Sequence, residues 1–167
     1  NHVAEPEIHA MLPAGVTALV TRLPLTGSSE AQLRAMTEAL EPAARLLGDV
    51  KPDLIGFHCT AVSTFAPESA EDIRRRIEQA AGLPAYATAD GILAALATLS
   101  ARRVVLVTPY IKAVHDREIA FLASHGIEVV GGDHWELNTN AEMGRVPPAE
   151  ILARARAAVA DAPGAEA

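Results

Sequence analysis

The sequence predicts an α/β fold of two similar lobes, each with a mainly parallel sheet flanked by helices. Three observations predict it. Short apolar runs rich in β-branched residues alternate with longer Ala- and Leu-rich amphipathic segments. The apolar runs are nearly continuous, as strands buried on both faces are. The stretch "LPAYATADG" lies midway between two runs of the same design, "IGFHCTAVS" and "VVLVTPYIK", and marks a boundary between lobes at residues 1–88 and 89–167.

Taken in order, residues 6–12 read as a helix and 16–21 as the first strand. Residues 29–47 read as one long helix. Ser28 and Ser29 precede it as N-cap candidates, and Glu30 stands in its first turn, where a carboxylate suits the helix dipole. Strands at 54–59, 85–88, 104–108 and 127–130 alternate with helices at 67–81, 90–99, 111–124 and 148–160. Gly48, Gly82 and Gly126 each follow a helical stretch, where a left-handed C-cap is wanted. The stretch "WELNTNAEMGRVPP" reads as a polar, irregular loop before a helix started by its prolines.

Composition narrows the function. At 167 residues and 50% apolar content, the chain can bury the core of one ordinary domain or a little more. No apolar stretch approaches the ~20 residues that cross a bilayer. A single cysteine cannot form an internal disulfide and fits a reducing compartment, so the expected location is cytoplasmic. Fourteen basic against 21 acidic side chains give a net charge of −7, which repels phosphate backbones and argues against nucleic acid as a partner; Arg74-Arg75-Arg76 is too isolated a run to reverse that. There is no Gly-rich dinucleotide fingerprint, Walker-type loop or zinc-protease helix. The six histidines show no metal spacing; Asp133, His134 and Glu136 read as a surface loop, and His125, before Gly126, suits a helix C-terminus. Helix faces this rich in Ala and Leu are compatible with a homo-oligomer.

Ligands of such sheets gather beyond the carboxyl ends of the strands, where backbone N–H groups and a helix dipole favour an anion. Cys59 stands at one such exit. It reads either as a small buried hydrophobe or as a thiol whose pKa the following helix lowers. His58, its neighbour, points to the opposite face of a strand and is given a packing role. Thr60 and Ser63 read as turn or N-cap residues, or as donors to a substrate carboxylate. Tyr110, at the second exit, reads as a rim residue or as a phenol that donates to a developing oxyanion.

Four motifs in order, "NHVAEPEIHAML", "PDLIGFHCTA", "VVLVTPYI" and "NAEMGRVPP", resemble the aspartate/glutamate racemase superfamily, in the branch of maleate cis–trans isomerases and arylmalonate decarboxylases. The resemblance covers essentially the whole chain. It implies an active-site cleft between the lobes and chemistry without cofactor or metal. It places Cys59 as the first-lobe catalytic cysteine and Tyr110 as the catalytic tyrosine of a "TPY" motif. It makes Asn1, Thr60, Ala61 and Asn140 substrate-binding. Arylmalonate decarboxylases usually have Gly where this chain has Cys59, so the expected activity is isomerisation of a small, maleate-like dicarboxylate. Maleate isomerases in turn carry an apolar residue where Thr60 stands, so decarboxylation of malonate-type acids or racemisation of amino acids stays open. So does a non-catalytic carboxylate-binding protein. The family's first strand and its second catalytic cysteine are expected outside residues 1–167, in a longer product.

Overall fold

A computed structural model describes residues 3–167. Its elements are mixed α/β, with short parallel sheets flanked by helices. Helix α1 (Ala4–Met11) leads into residues 12–27, which form no strand. The strand expected at 16–21 is therefore absent. Its apolar run has no neighbouring backbone to pair with, and Val16, Leu19 and Val20 are about half exposed. The segment is held to α1 by side chains instead: the His9 ring meets the Ala18 carbonyl at 3.3 Å, and Arg22 pairs with Glu5.

The long helix expected at 29–47 is broken in two. Ser29 caps α2 (Glu30–Met36) in a reciprocal box with Gln32, as the paired serines suggest. A 3-10 turn at Thr37–Ala39 separates it from α3 (Leu40–Gly48). Pro42 explains the break. It has no N–H to give and its ring crowds the carbonyl four residues back, at Glu38, so the helix restarts with Pro42 in its first turn. Gly48 ends α3 without a left-handed turn, contrary to its C-cap reading; a Cβ there would lie 3.2 Å from that of Ala81, so the glycine serves the close approach of two helices.

Strand β1 (Ile55–Phe57) is followed by the short α4 (Thr60–Ser63), then by α5 (Ser69–Ala81), which Gly82 closes in the left-handed conformation. Helix α5 presents Ala70, Ile73 and Ile77 inward, and α3 presents Leu40, Ala43 and Ala44. Each fully buried Leu or Ile contributes about 1.5–3 kcal/mol. The three arginines of α5 are all paired with carboxylates: Arg74 with Asp90, Arg75 with Asp72, and Arg76 with Glu41 at 2.6 Å. Strand β2 (Ala85–Ala87) pairs in parallel with β1, Gly56 opposite Tyr86, and runs directly into α6 (Thr88–Leu99).

A second parallel pair follows, formed by β3 (Arg103–Tyr110) and β4 (Glu128–Leu137), with α7 (Lys112–Ser124) between them. Strand β4 runs well past the expected 127–130, through residues read as loop: Asp133, His134 and Glu136 are strand residues. Two register shifts make this possible. They lie between Val104 and Val105 and between Thr108 and Tyr110. At Gly132, φ is +149° and a Cβ would stand 1.9 Å from the Leu106 carbonyl oxygen, so only glycine fits. Helix α8 (Asn140–Met143), capped by Thr139, and α9 (Pro148–Asp161) complete the fold. Asn138 ties this end of the chain to the start of α2, its Oδ1 accepting the Ser28 N–H at 3.1 Å and its carbonyl the Ser28 hydroxyl at 3.0 Å.

Candidate active site

Two strand ends build the site. Beyond β1, Cys59 is the N-cap of α4, extended at φ −160° and ψ 106°, with its carbonyl accepting the Ser63 N–H at 3.0 Å. The backbone N–H groups of Val62 and Ala61 lie on the sulfur side of that turn and favour a thiolate. Tyr110 ends β3, and its phenol faces the Thr60 hydroxyl and the Ala61 N–H. Cys59, Thr60, Ala61 and Tyr110 are thus brought together from two elements 50 residues apart.

Ser63 is not free to meet a ligand. It is fully buried, donates to the Thr60 carbonyl at 3.2 Å and accepts the Ala89 N–H at 3.1 Å. The turn reading of Ser63 therefore holds. His58 is exposed, which removes its packing role, and it lines a shallow hollow with Tyr86 and Thr88. Asn140 is partly buried at the first position of α8, outside the wall of the cavity described next. Asn1 lies outside the described residues.

A cavity of about 250 Å³ opens beside the two strand ends. Thr60, Tyr110 and Glu118 supply its polar wall; Ile92, Leu106 and Leu122 supply apolar surface. Glu118 is the one carboxylate in this lining, and the motifs do not point to it. It is 4% exposed, and its Oε1 has no hydrogen-bond partner. A sequence signal exists all the same: Val114, His115, Glu118, Phe121 and Leu122 share one face of α7, so a carboxylate stands in a stripe that is apolar except for His115. The nearby Thr108 hydroxyl is engaged, 2.9 Å from His115 Nδ1, and the His115 ring stacks on His134 at 4.8 Å. Among the described residues, no group of three or more His, Cys, Asp or Glu could hold a metal ion.

The electrostatics correct one expectation. Burial pushes the Cys59 thiol above its usual range instead of below it, and the negative charge of Glu118 adds to the effect; the Val62 and Ala61 N–H groups oppose it without overcoming it. A four-residue helix carries too small a dipole to offset desolvation. The Tyr110 phenol is also raised, first by burial and then by the charges of Glu118 and Cys59. Burial lifts Glu118 itself to about 7, against the pull of the Arg117 guanidinium.

Comparison with known proteins gives the family. The model of the arylmalonate decarboxylase family matches residues 4–167, and the chain belongs to that family. Among solved structures, a liganded double mutant of arylmalonate decarboxylase superposes with a TM-score of 0.89 at 26% identity, over 96% of this chain and 68% of that one. A Nocardia farcinica maleate cis–trans isomerase mutant carrying a covalently bound succinylcysteine intermediate shares the fold at TM-score 0.85 and 22% identity, over 96% and 69%. Among curated sequences, the maleate isomerases of Geobacillus stearothermophilus and Nocardia farcinica are 24% and 28% identical, covering 91% and 93% of this chain. The chain spans 66% of the length of each.

Proposed function

We propose that the protein is a cofactor-independent isomerase of a small, maleate-like dicarboxylate, with Cys59 as nucleophile and Tyr110 as catalytic acid or oxyanion donor. The observation that carries this reading is the meeting of Cys59, Thr60, Ala61 and Tyr110 at two strand ends, with Thr60 and Tyr110 lining the cavity beside them. Relatives named maleate isomerase support it. Asn1 and Asn140 complete the substrate-binding set on the family pattern, and the cleft lies between lobes divided near residue 88. A cytoplasmic location belongs to the same reading, as does a homo-oligomer formed through exposed apolar residues such as Leu99 and Leu152.

The chemistry follows from the groups present. Once its proton has passed to water, the Cys59 thiolate adds to one alkene carbon; a C–S bond forms and the π pair moves onto the neighbouring carboxylate as an enediolate. The Ala61 N–H and the Thr60 and Tyr110 hydroxyls meet that developing charge, one well-placed donor being worth about 3 kcal/mol. Rotation about the new C–C single bond follows. Return of the electron pair expels the thiolate and leaves the trans diacid.

Proton NMR of the protein incubated separately with maleate, phenylmalonate and aspartate in D₂O tests the reading. Fumarate from maleate, abolished by Cys59→Ala, is the expected result. Loss of CO₂ from phenylmalonate or α-proton exchange in aspartate, with maleate unchanged, would move the activity to the decarboxylase or racemase reading. Inertness toward all three would favour a carboxylate-binding protein.

A further inference from the structure

Glu118 stands apart from the rest of the cavity wall. It is nine-tenths buried, it faces a space lined by Ile92, Leu106 and Leu122, and its Oε1 meets no donor. Arg117 is adjacent in sequence, yet among the described residues no ion pair joins the two; the Arg117 guanidinium lies over the Phe65 ring at 4.4 Å. A buried carboxylate without a partner is costly in its charged form, and a neutral carboxyl group offers one O–H donor. Among the described residues, no group hydrogen-bonds to Oε1.

We propose that Glu118 is a specificity-determining residue whose carboxyl group, in its neutral form, donates a hydrogen bond to the distal carboxylate of a dicarboxylate substrate, while its charged form excludes that substrate. This rests on the dicarboxylate reading of the site. Thr60 and Tyr110 serve the reacting end of the molecule, and Glu118 reads the other end. An O–H to carboxylate bond is among the short, strong class, and in an apolar cavity two carboxylates without a proton between them repel strongly. The other titratable groups around Glu118 are few. The N-cap of α4 brings the Cys59 thiol, β3 the Tyr110 phenol, and α7 itself Arg117 and, one turn earlier on the same buried face, His115, against which β4 stacks His134. Glu118 titrates near neutrality, at about 7, so the exclusion falls within reach of experiment.

The test is calorimetric binding of succinate, an unreactive four-carbon dicarboxylate, to the wild type, Glu118→Gln and Glu118→Leu across neutral pH. The expected result is a wild-type Kd that is flat at low pH and rises about tenfold per pH unit above the Glu118 transition. Glu118→Gln keeps a donor and cannot ionise, so its Kd stays flat. Glu118→Leu binds weakly throughout. An unchanged slope in Glu118→Gln, wild-type affinity in Glu118→Leu, or no succinate binding by the wild type would each overturn the proposal. If Glu118→Leu does not fold, the contrast between wild type and Glu118→Gln decides. Maleate turnover by the wild type is followed in parallel: succinate binding with the expected profile but no turnover sinks the isomerase reading and leaves the Glu118 subsite standing, while turnover with an unchanged Glu118→Gln slope sinks the subsite alone.

Discussion

The Ser63 hydroxyl accepts the Ala89 N–H at 3.1 Å deep inside the protein, joining the turn that carries Cys59 to the first turn of α6. Neither group has access to water. Ser63→Ala removes the acceptor and strands the N–H, which costs about 1–3 kcal/mol. Urea titration should show that loss as a lower midpoint at unchanged slope; an unaltered midpoint would mean the bond is dispensable.

Cys59 should be a slow thiol. Burial holds its proton on, so alkylation by iodoacetamide at neutral pH is expected to lag a solvent-exposed cysteine and to accelerate only well into the alkaline range. Because the negative charge of Glu118 contributes to the upward shift, Glu118→Gln should move the alkylation profile to lower pH. Fast labelling of the native wild type at neutral pH would contradict the burial described here.

Glu118 also links stability to pH. Its folded pKa, about 7, exceeds the ordinary carboxylate value of 4.5, so the native state binds the proton more tightly than the unfolded chain does. The group costs nothing below the unfolded value. Its cost grows as pH rises between the two and levels off above about 7 at roughly 3 kcal/mol. Glu118→Gln should therefore be more stable than the wild type in alkaline solution, with the difference vanishing in mild acid. Equal pH dependence of the two unfolding curves would count against a charged, buried Glu118.

Arg76 bridges α5 to α3 and the turn before it. It donates to both Glu41 oxygens at 2.6 and 2.9 Å and to the Thr37 carbonyl at 2.7 Å. That pairing holds the Glu41 carboxyl below its usual range, so the contribution is present above the ordinary carboxylate pKa and is lost as pH falls through the depressed one. Both side chains are partly exposed, which limits the effect; Arg76→Ala is expected to cost about 1–2 kcal/mol at neutral pH and less in strong acid. Thermal melts at the two extremes check the sign.

What the sequence made legible and what it hid have separate physical causes. Strand–helix alternation, the Ser29 cap and the left-handed Gly82 are local rules, and they hold. The meeting of Cys59 with Tyr110 was legible through motifs at the ends of two apolar runs. The strand at 16–21 failed because pairing is a non-local requirement that a short apolar run cannot supply. The helix at 29–47 failed on a local rule overlooked, Pro42. Strand β4 was cut short because its glycines and polar residues read as loop, although bulges let them stay paired. The thiol pKa was misjudged because burial depends on neighbours distant in sequence, Glu118 among them.

The contact between Gly132 and the Leu106 carbonyl bears on how this protein can change over time. A β-carbon at 1.9 Å from backbone oxygen leaves no rotamer or small shift to absorb it. The walls of the cavity can be tried out residue by residue, Ile92 or Leu122 exchanged for larger or smaller neighbours, while the strand pair that carries Tyr110 stays put. Position 132 itself is a dead end for mutational search. Any codon change away from glycine there must be rescued by a rearranged backbone, so variation in substrate choice is channelled to the side chains of the cavity wall and not to this strand position.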